Sequence, residues 1–121
     1  MQGGITQGAG HIFSEQAVYD ASGQLLTGSF MDYAMPRPGL VGGLRVTEHP
    51  VPTSTNPLGA KGVGEAGVTG SMPCLMNAVI DALRQAGVTH FDMPATPQRV
   101  WQAMREARAG RPAALAVPQP A

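Results

Sequence analysis

The chain contains a single cysteine, Cys74, among its 121 residues, so it cannot form an internal disulfide bond. Disulfides are typical of oxidising compartments, and a cysteine-poor chain fits a reducing one. The opening residues, MQGGI, lack the basic and apolar regions of a secretory signal peptide. The sequence therefore predicts a cytoplasmic protein, in which Cys74 is a small core residue at the start of a helix.

Charge is also scarce, since 13% of the residues are charged and the formal net charge is +0. Surfaces that bind nucleic acid or anionic lipid need a concentration of lysine and arginine, which this chain lacks. No run approaches the roughly 18–20 apolar residues that span a bilayer. The histidines, His11, His49 and His90, lie far apart in the sequence. We therefore expect no nucleic-acid partner, no membrane span and no metal site built from this chain's own side chains.

Glycine and proline are abundant, with 16 and 11 residues, and the hydrophobic content is 43%. At this length the chain forms at most one domain, and its composition predicts one rich in loops. The predicted fold class is α+β, with glycine-rich loops, about three helices and a few short strands. Helices are predicted over 5–18, over 68–85 and from Thr96-Pro97 onward. Strands are predicted at 18–19, 25–26 and 44–49, with a turn at 20–23.

The second predicted helix has its own signals. Its buried face is predicted to consist of Leu75, Val79, Ala82 and Leu83, and Gly87 is a plausible terminator.

The most informative segment is the loop over 56–67, NPLGAKGVGEAG, which places Glu65 directly before that helix. Glycine permits positive φ and a close approach of the backbone to a ligand, at a cost in chain entropy. We therefore expect the glycines at 59, 62, 64 and 67 to shape a site for a bulky ligand. A structural interpretation is compatible with this one, because a helix dipole stabilises an acidic residue at the N-terminus by up to about 1 kcal/mol.

Nucleotide binding is the nominal alternative, because residues 62–67 match the pattern G-x-G-x-x-G. That site needs a buried strand before the first glycine and an acidic residue about 20 residues further on, after a second strand. Residues 53–58 are polar and broken by Pro57, and residues 76–83 continue a helical pattern. A Walker A loop is excluded as well, since Lys61 is not followed by Ser or Thr at the required spacing. The sequence context disfavours a nucleotide.

Five segments, taken in order and with their spacing, resemble the C-terminal part of the molybdopterin-binding large subunit of molybdenum hydroxylases. They are GGITQGAG at 3–10, LLTGSFMDYAMP at 25–36, GAKGVGEAG at 59–67, NAVIDAL at 77–83 and PATPQRVW at 94–101. The family comprises xanthine dehydrogenase, aldehyde oxidase and carbon monoxide dehydrogenase proteins. The resemblance identifies residues 1–109 as a C-terminal segment of the molybdopterin-binding domain, and residues 110–121 are predicted to be a disordered tail.

The resemblance implies that Glu65 is the general base of such an oxidoreductase. In that role it takes a proton from a molybdenum-bound hydroxyl, which hydroxylates an aldehyde, a purine or another heteroaromatic carbon; carbon monoxide is oxidised instead in part of the family. A metal-bound hydroxyl is acidic enough for a carboxylate to serve as its base. Gln7 matches a glutamine that hydrogen-bonds the pterin cofactor. The loop that lines this cofactor is matched by residues Lys61, Gly62, Val63 and Gly64.

The implied cofactor is molybdenum–molybdopterin, as the cytosine dinucleotide in a bacterial protein, with Fe–S and FAD groups on partner domains or subunits. Family large subunits are several hundred residues long, and their other cofactor-binding loops lie upstream of the segments matched here. We therefore expect as partners the remainder of the large subunit, the Fe–S/FAD subunits and a small-molecule substrate. The isolated chain is expected to be inactive. The alternative is a non-catalytic interaction module, or a gene remnant of the family, that packs against a partner subunit.

Overall fold

The computed structural model describes residues 1–110, which form three helices. They are α1 (Gln2–Phe13), α2 (Ala66–Arg84) and α3 (Pro97–Arg108). All three predicted helices are confirmed, although α1 begins three residues earlier than predicted and ends at Phe13 instead of Val18. None of the helices in this range combines the length and apolar character needed to cross a membrane. The predicted disordered tail lies outside the described residues, except for Gly110.

Helices α1 and α2 run parallel to one another in close contact. Gly4 of α1 faces Gly67 of α2, and one turn later Gly8 faces Ser71. A glycine in a helix interior costs roughly 1 kcal/mol relative to alanine. The first turn of α1 nevertheless forms, because Gly4 lets the two backbones meet. This packing explains why α1 starts before the position that helical propensity favours.

The core lies where the C-terminal half of α1 meets α2, α3 and the 88–95 segment. Its buried members are Ile12, Met76, Leu83, Val88, Phe91, Ala95 and Ala103. Ile12 ties these parts together through its backbone as well, since its carbonyl accepts a 2.6 Å hydrogen bond from the Ala95 amide. The packed core therefore sits at the end of α1 and α2 that lies away from Glu65.

The predicted buried face of α2 is correct at Leu83, partly correct at Leu75 and Val79, and wrong at Ala82, which is exposed. Contact with α1 sets the rotation of α2, and a line of residues four apart runs from Gly67 through to Leu83. Ala82 lies one residue off this line. The end of α2 is as predicted, because Gly87 has φ +83° and its amide bonds the Arg84 carbonyl at 3.0 Å.

The predicted strands reduce, within residues 1–110, to one antiparallel bridge between Tyr19 and Leu25. The turn between them is confirmed, because Gly23 has φ +84° and the Asp20 carboxylate accepts hydrogen bonds from the Ser22 and Gln24 amides, both at 2.9 Å. Residues 44–49 alternate as a strand would but form none. The α+β prediction is therefore right for the helices and overstated for the strands.

Two local predictions also fail at the helices. Cys74 is exposed on α2 instead of buried in the core. Thr96 occupies the N-cap position of α3 and Pro97 the first turn, as predicted, but the Thr96 side chain makes no capping hydrogen bond.

Candidate functional site

Glu65 is the N-cap residue of α2, and its backbone carbonyl accepts a 3.0 Å hydrogen bond from the Thr69 amide. An N-cap side chain ordinarily accepts a hydrogen bond from an amide of the first helical turn. The Glu65 side chain makes no such bond, and it is exposed. Among the residues that the structure describes, its carboxylate has neither a hydrogen-bond donor nor an ion-pair partner. Both oxygens are thus available to an external group.

Glu65 lines an open depression of about 700 Å³. Its lining residues are Gly62, Gly64, Glu65, Ala66, Thr69 and Gly70. A Cβ atom added at any of the three glycines would meet no atom within 4 Å. The wall beside Glu65 is therefore bare backbone facing free space, and this arrangement fits a bulky ligand that approaches the chain closely.

The loop that leads into this wall is held by the side chain of Asn56. Its Oδ1 accepts hydrogen bonds from the amides of Leu58 and Ala60, both at 3.1 Å, and its Nδ2 donates to the Ala60 carbonyl at 2.9 Å. We call these three hydrogen bonds the Asn56 clamp. Within it, Gly59 turns the chain with φ +63°. Its carbonyl accepts from the Thr53 amide at 3.1 Å. The residues before Lys61 therefore have a defined backbone path.

The structure brings together some, but not all, of the predicted site residues. Gly62, Gly64 and Glu65 line the same depression. Lys61 and Val63 belong to the same exposed loop but do not line it. Gln7 is an exposed residue of α1, next to Gly8 at the contact with α2. The roles of all six residues stay predictions.

The prediction that the loop glycines supply positive φ is correct only for Gly59. Gly62 and Gly64 have ordinary φ values and open surroundings. Gly67 is buried in the first turn of α2, against the backbone of α1. Sequence reasoning missed this role, although the spacing of four residues between Gly4 and Gly8, and between Gly67 and Ser71, is a signal for close helix contact.

A second polar cluster, which the sequence did not indicate, lies at the C-terminal end of α1. The Glu15 side chain is 11% exposed and accepts a 2.6 Å hydrogen bond from the Tyr33 hydroxyl. His11 Nε2 lies 3.7 Å from the same carboxylate. The hydrogen bond to Glu15, together with partial burial, raises the pKa of Tyr33 above its ordinary value of 10.0. The hydrogen bond attaches Tyr33 to the residues that directly follow α1. No sequence pattern pairs residues 15 and 33.

Across residues 1–110, no group of three His, Cys, Asp or Glu side chains is arranged to hold a metal ion. Beside Glu65, the Ala66 amide at the start of α2 donates a 3.2 Å hydrogen bond to the Val63 carbonyl. The depression therefore combines the exposed Glu65 residue with open glycine backbone.

Comparisons with known proteins point to one family. Residues 1–41 match the model of a family described as the molybdopterin cofactor-binding domain. The carbon monoxide dehydrogenase large chain of Hydrogenophaga pseudoflava is 41% identical over 107 residues, which are 88% of this chain. The nicotine 6-hydroxylase large subunit of Paenarthrobacter nicotinovorans is 35% identical over 87% of this chain.

Solved structures agree with the sequence relatives. The crystal structure of quinoline 2-oxidoreductase from Pseudomonas putida 86 matches 87% of this chain with a TM-score of 0.80 and 34% identity. In all three cases the match covers only a small part of the other protein. The chain spans 13% of the length of each of these large chains.

Proposed function

The chain belongs to the molybdopterin-binding large-subunit family of the molybdenum hydroxylases, and on this premise we propose that it supplies the wall of the active site that carries the general base. The base is Glu65. The reaction is the oxidative hydroxylation of an aldehyde, a purine or another heteroaromatic carbon, or the oxidation of carbon monoxide. The activity belongs to the whole large subunit with its redox partners, and the chain by itself is inactive.

The availability of the Glu65 carboxylate is the observation that carries this proposal. Its position at the start of α2 holds the backbone in place, while the side chain is not consumed by capping its own helix. A carboxylate in this state can accept a proton at either oxygen from a group that enters the depression. General bases of this kind contribute about 10²–10⁴-fold to a rate.

The residues around Glu65 fit a molybdenum–molybdopterin cofactor. The cofactor, when bound, supplies the redox chemistry of the reaction. The bare backbone at Gly62 and Gly64 leaves room for its bulk beside the carboxylate. We assign to Lys61 and Val63 the continuation of this lining, and to Gln7 a hydrogen bond from its side-chain amide. We also propose that the cofactor is the cytosine dinucleotide form, and that Fe–S and FAD groups lie on partner domains or subunits.

Large apolar side chains on the surface support an association with further protein. Phe30 is 81% exposed, Met31 93% and Leu58 90%. We propose that the remainder of the large subunit covers them, and that the assembly works in the cytoplasm. The same exposure is the specific observation in favour of the second candidate, a non-catalytic module that packs against a partner subunit. The two candidates differ in whether Glu65 is required.

The deciding experiment replaces Glu65 by glutamine in the enzyme assembled with the remainder of the large subunit and its redox partners. The amide keeps the size of the side chain but cannot accept the proton, so we expect kcat to fall by about 10²–10⁴-fold. Molybdenum content per enzyme is measured in parallel and should not change.

Glu48→Gln is the matched control, because Glu48 is an exposed glutamate outside the depression. It should leave kcat within twofold of the unsubstituted enzyme. Full turnover by the Glu65→Gln enzyme would remove the general-base assignment and favour the non-catalytic module.

A further inference from the structure

The first turn of α2 rests directly on the backbone of α1 at Gly67, two residues after Glu65. A Cβ atom added to Gly67 would lie 2.6 Å from the Met1 carbonyl oxygen, 2.9 Å from the Ile5 nitrogen and 3.0 Å from the Gly4 carbonyl carbon. All three atoms are backbone, so no side chain can rotate to make room. Ordinary contact begins at 3.4 Å. An alanine here must therefore move α2 away from α1 by roughly 0.8 Å.

Two more contacts continue the same helix pair. A Cβ on Gly4 would come within 3.1 Å of both the Gly67 Cα and the Val68 nitrogen. A Cβ on Gly8 would overlap the hydroxyl of Ser71 and lie 3.3 Å from the Val68 carbonyl oxygen. Ser71 is itself buried, and its hydroxyl donates a 3.2 Å hydrogen bond to that carbonyl. The spacing between α1 and α2 is thus fixed over two successive turns.

This contact links the two helices that bear the predicted site residues. Gln7 precedes Gly8 on α1, and Glu65 precedes Gly67 by two residues on α2. On the other side of Glu65, the Asn56 clamp fixes the backbone path before Lys61. The position of the carboxylate relative to Gln7 therefore depends on how closely the helices approach.

We propose that Gly67 is a positioning residue for Glu65, and that Gly4, Gly8 and Ser71 complete the contact that sets the separation of Glu65 from the Gln7-bearing helix. The inference rests on the proposed function of Glu65 as the base. It assigns to Gly67 a role in geometry and none in chemistry, because the glycine has no group that could take part in the reaction.

The expected effect follows from the size of the displacement. Catalytic groups must be held within about 0.5 Å of their productive position, and a misplacement of 1 Å can cost about 10²-fold in rate. Gly67→Ala should therefore lower kcat of the assembled enzyme by about 10²-fold, with a much smaller change in KM. In the ¹⁵N-labelled 121-residue chain, the same substitution should shift the amide signals of Glu65 and Ala66.

Gly3→Ala is the matched control in the same turn of α1. A Cβ at Gly3 would meet nothing within 4 Å. This variant should change neither kcat nor the Glu65 and Ala66 signals. Wild-type kcat together with unshifted signals in Gly67→Ala would overturn the proposal.

A compensating pair tests the contact even if Gly67→Ala fails to fold. Gly8→Ala should lower kcat by crowding Ser71, and the double variant Gly8→Ala/Ser71→Gly should recover most of the loss because the obstructing side chain is gone. A double variant no better than Gly8→Ala would count against the proposal. Failure of the underlying function is recognised separately: Glu65→Gln would then keep full turnover, while the amide shifts in Gly67→Ala would still appear.

Discussion

Replacing Asn56 by alanine removes the three hydrogen bonds that hold the turn before Lys61. Two of them protect the amides of Leu58 and Ala60, and the third occupies the Ala60 carbonyl. The Thr53 amide, which bonds the Gly59 carbonyl, keeps its own contact with this turn. The substitution therefore loosens the turn from within and leaves the packed core untouched.

The magnitude follows from the exposure of these bonds. A net hydrogen bond contributes about 0.5–1.5 kcal/mol, and bonds on the surface belong at the low end of that range. Three such bonds amount to roughly 1.5 kcal/mol of local stability. Because 1.4 kcal/mol corresponds to a factor of ten in an equilibrium, local opening should become about tenfold more frequent.

Amide hydrogen exchange measured by NMR reports this opening residue by residue. In Asn56→Ala, the amides of Leu58 and Ala60 should exchange about tenfold faster, with no change at Leu83 in α2. Asn56→Asp should retain part of the protection, because a carboxylate can still accept from both amides. Thr55→Ala is the neighbouring control and should have no effect on Leu58. Unchanged exchange in Asn56→Ala would refute the clamp.

Two further predictions concern the core and the Tyr33 contact. Ile12→Ala should lower the free energy of unfolding, measured with urea, by about 2–5 kcal/mol, because Ile12 is fully buried. Leu58→Ala, at a 90% exposed position, should change it by less than about 0.5 kcal/mol. Equal losses in the two variants would contradict the assigned core. The Tyr33 hydroxyl donates to Glu15 only while it is protonated, and this hydrogen bond raises its pKa in the folded state. The contribution of the bond to stability is therefore complete below pH 10.0 and is lost as the pH rises through the higher folded-state pKa. Ultraviolet titration should show the Tyr33 transition above pH 10.0 in the wild type and closer to it in Glu15→Gln; an identical titration in both would exclude the hydrogen bond as the cause.

The helices were predictable because each carries a local signal. Apolar spacing indicated α2 and Gly87 its end, and the pair Thr96-Pro97 indicated the start of α3. The start of α1 at Gln2 was not predictable from propensity, since its first turn contains Gly3 and Gly4. At its end, the Ser14 and Glu15 amides both bond the Gly10 carbonyl, and the helix closes at Phe13. A tertiary contact therefore overrides local preference at the start of this helix.

The strands failed for a related reason. Residues 44–49 alternate apolar with polar, but a strand exists only when a neighbour pairs with it. In the described part of the chain, the Leu44 carbonyl accepts from the Gln2 side chain at 3.1 Å instead of from another strand. The alternating pattern therefore does not identify a partner strand, and residues 45–49 are exposed. The glycine density of the loop around Glu65 predicted positive φ correctly at Gly59 alone, and the site that these glycines are expected to shape stays a prediction.

The four glycines of this loop are required for different physical reasons, so alanine should have a different effect at each of them. Gly59 has positive φ, where a β-carbon is strained whatever the available space. Gly67 has helical geometry, and only the backbone of α1 excludes a side chain there. Gly62 and Gly64 meet neither constraint within the described residues. Alanine at these two positions should therefore leave the fold intact and act only through a ligand in the depression. If alanine lowers the free energy of unfolding at positions 59 and 67 but not at 62 and 64, then Gly59 and Gly67 are needed for the structure of the loop. Gly62 and Gly64 are then needed only for contact with a ligand.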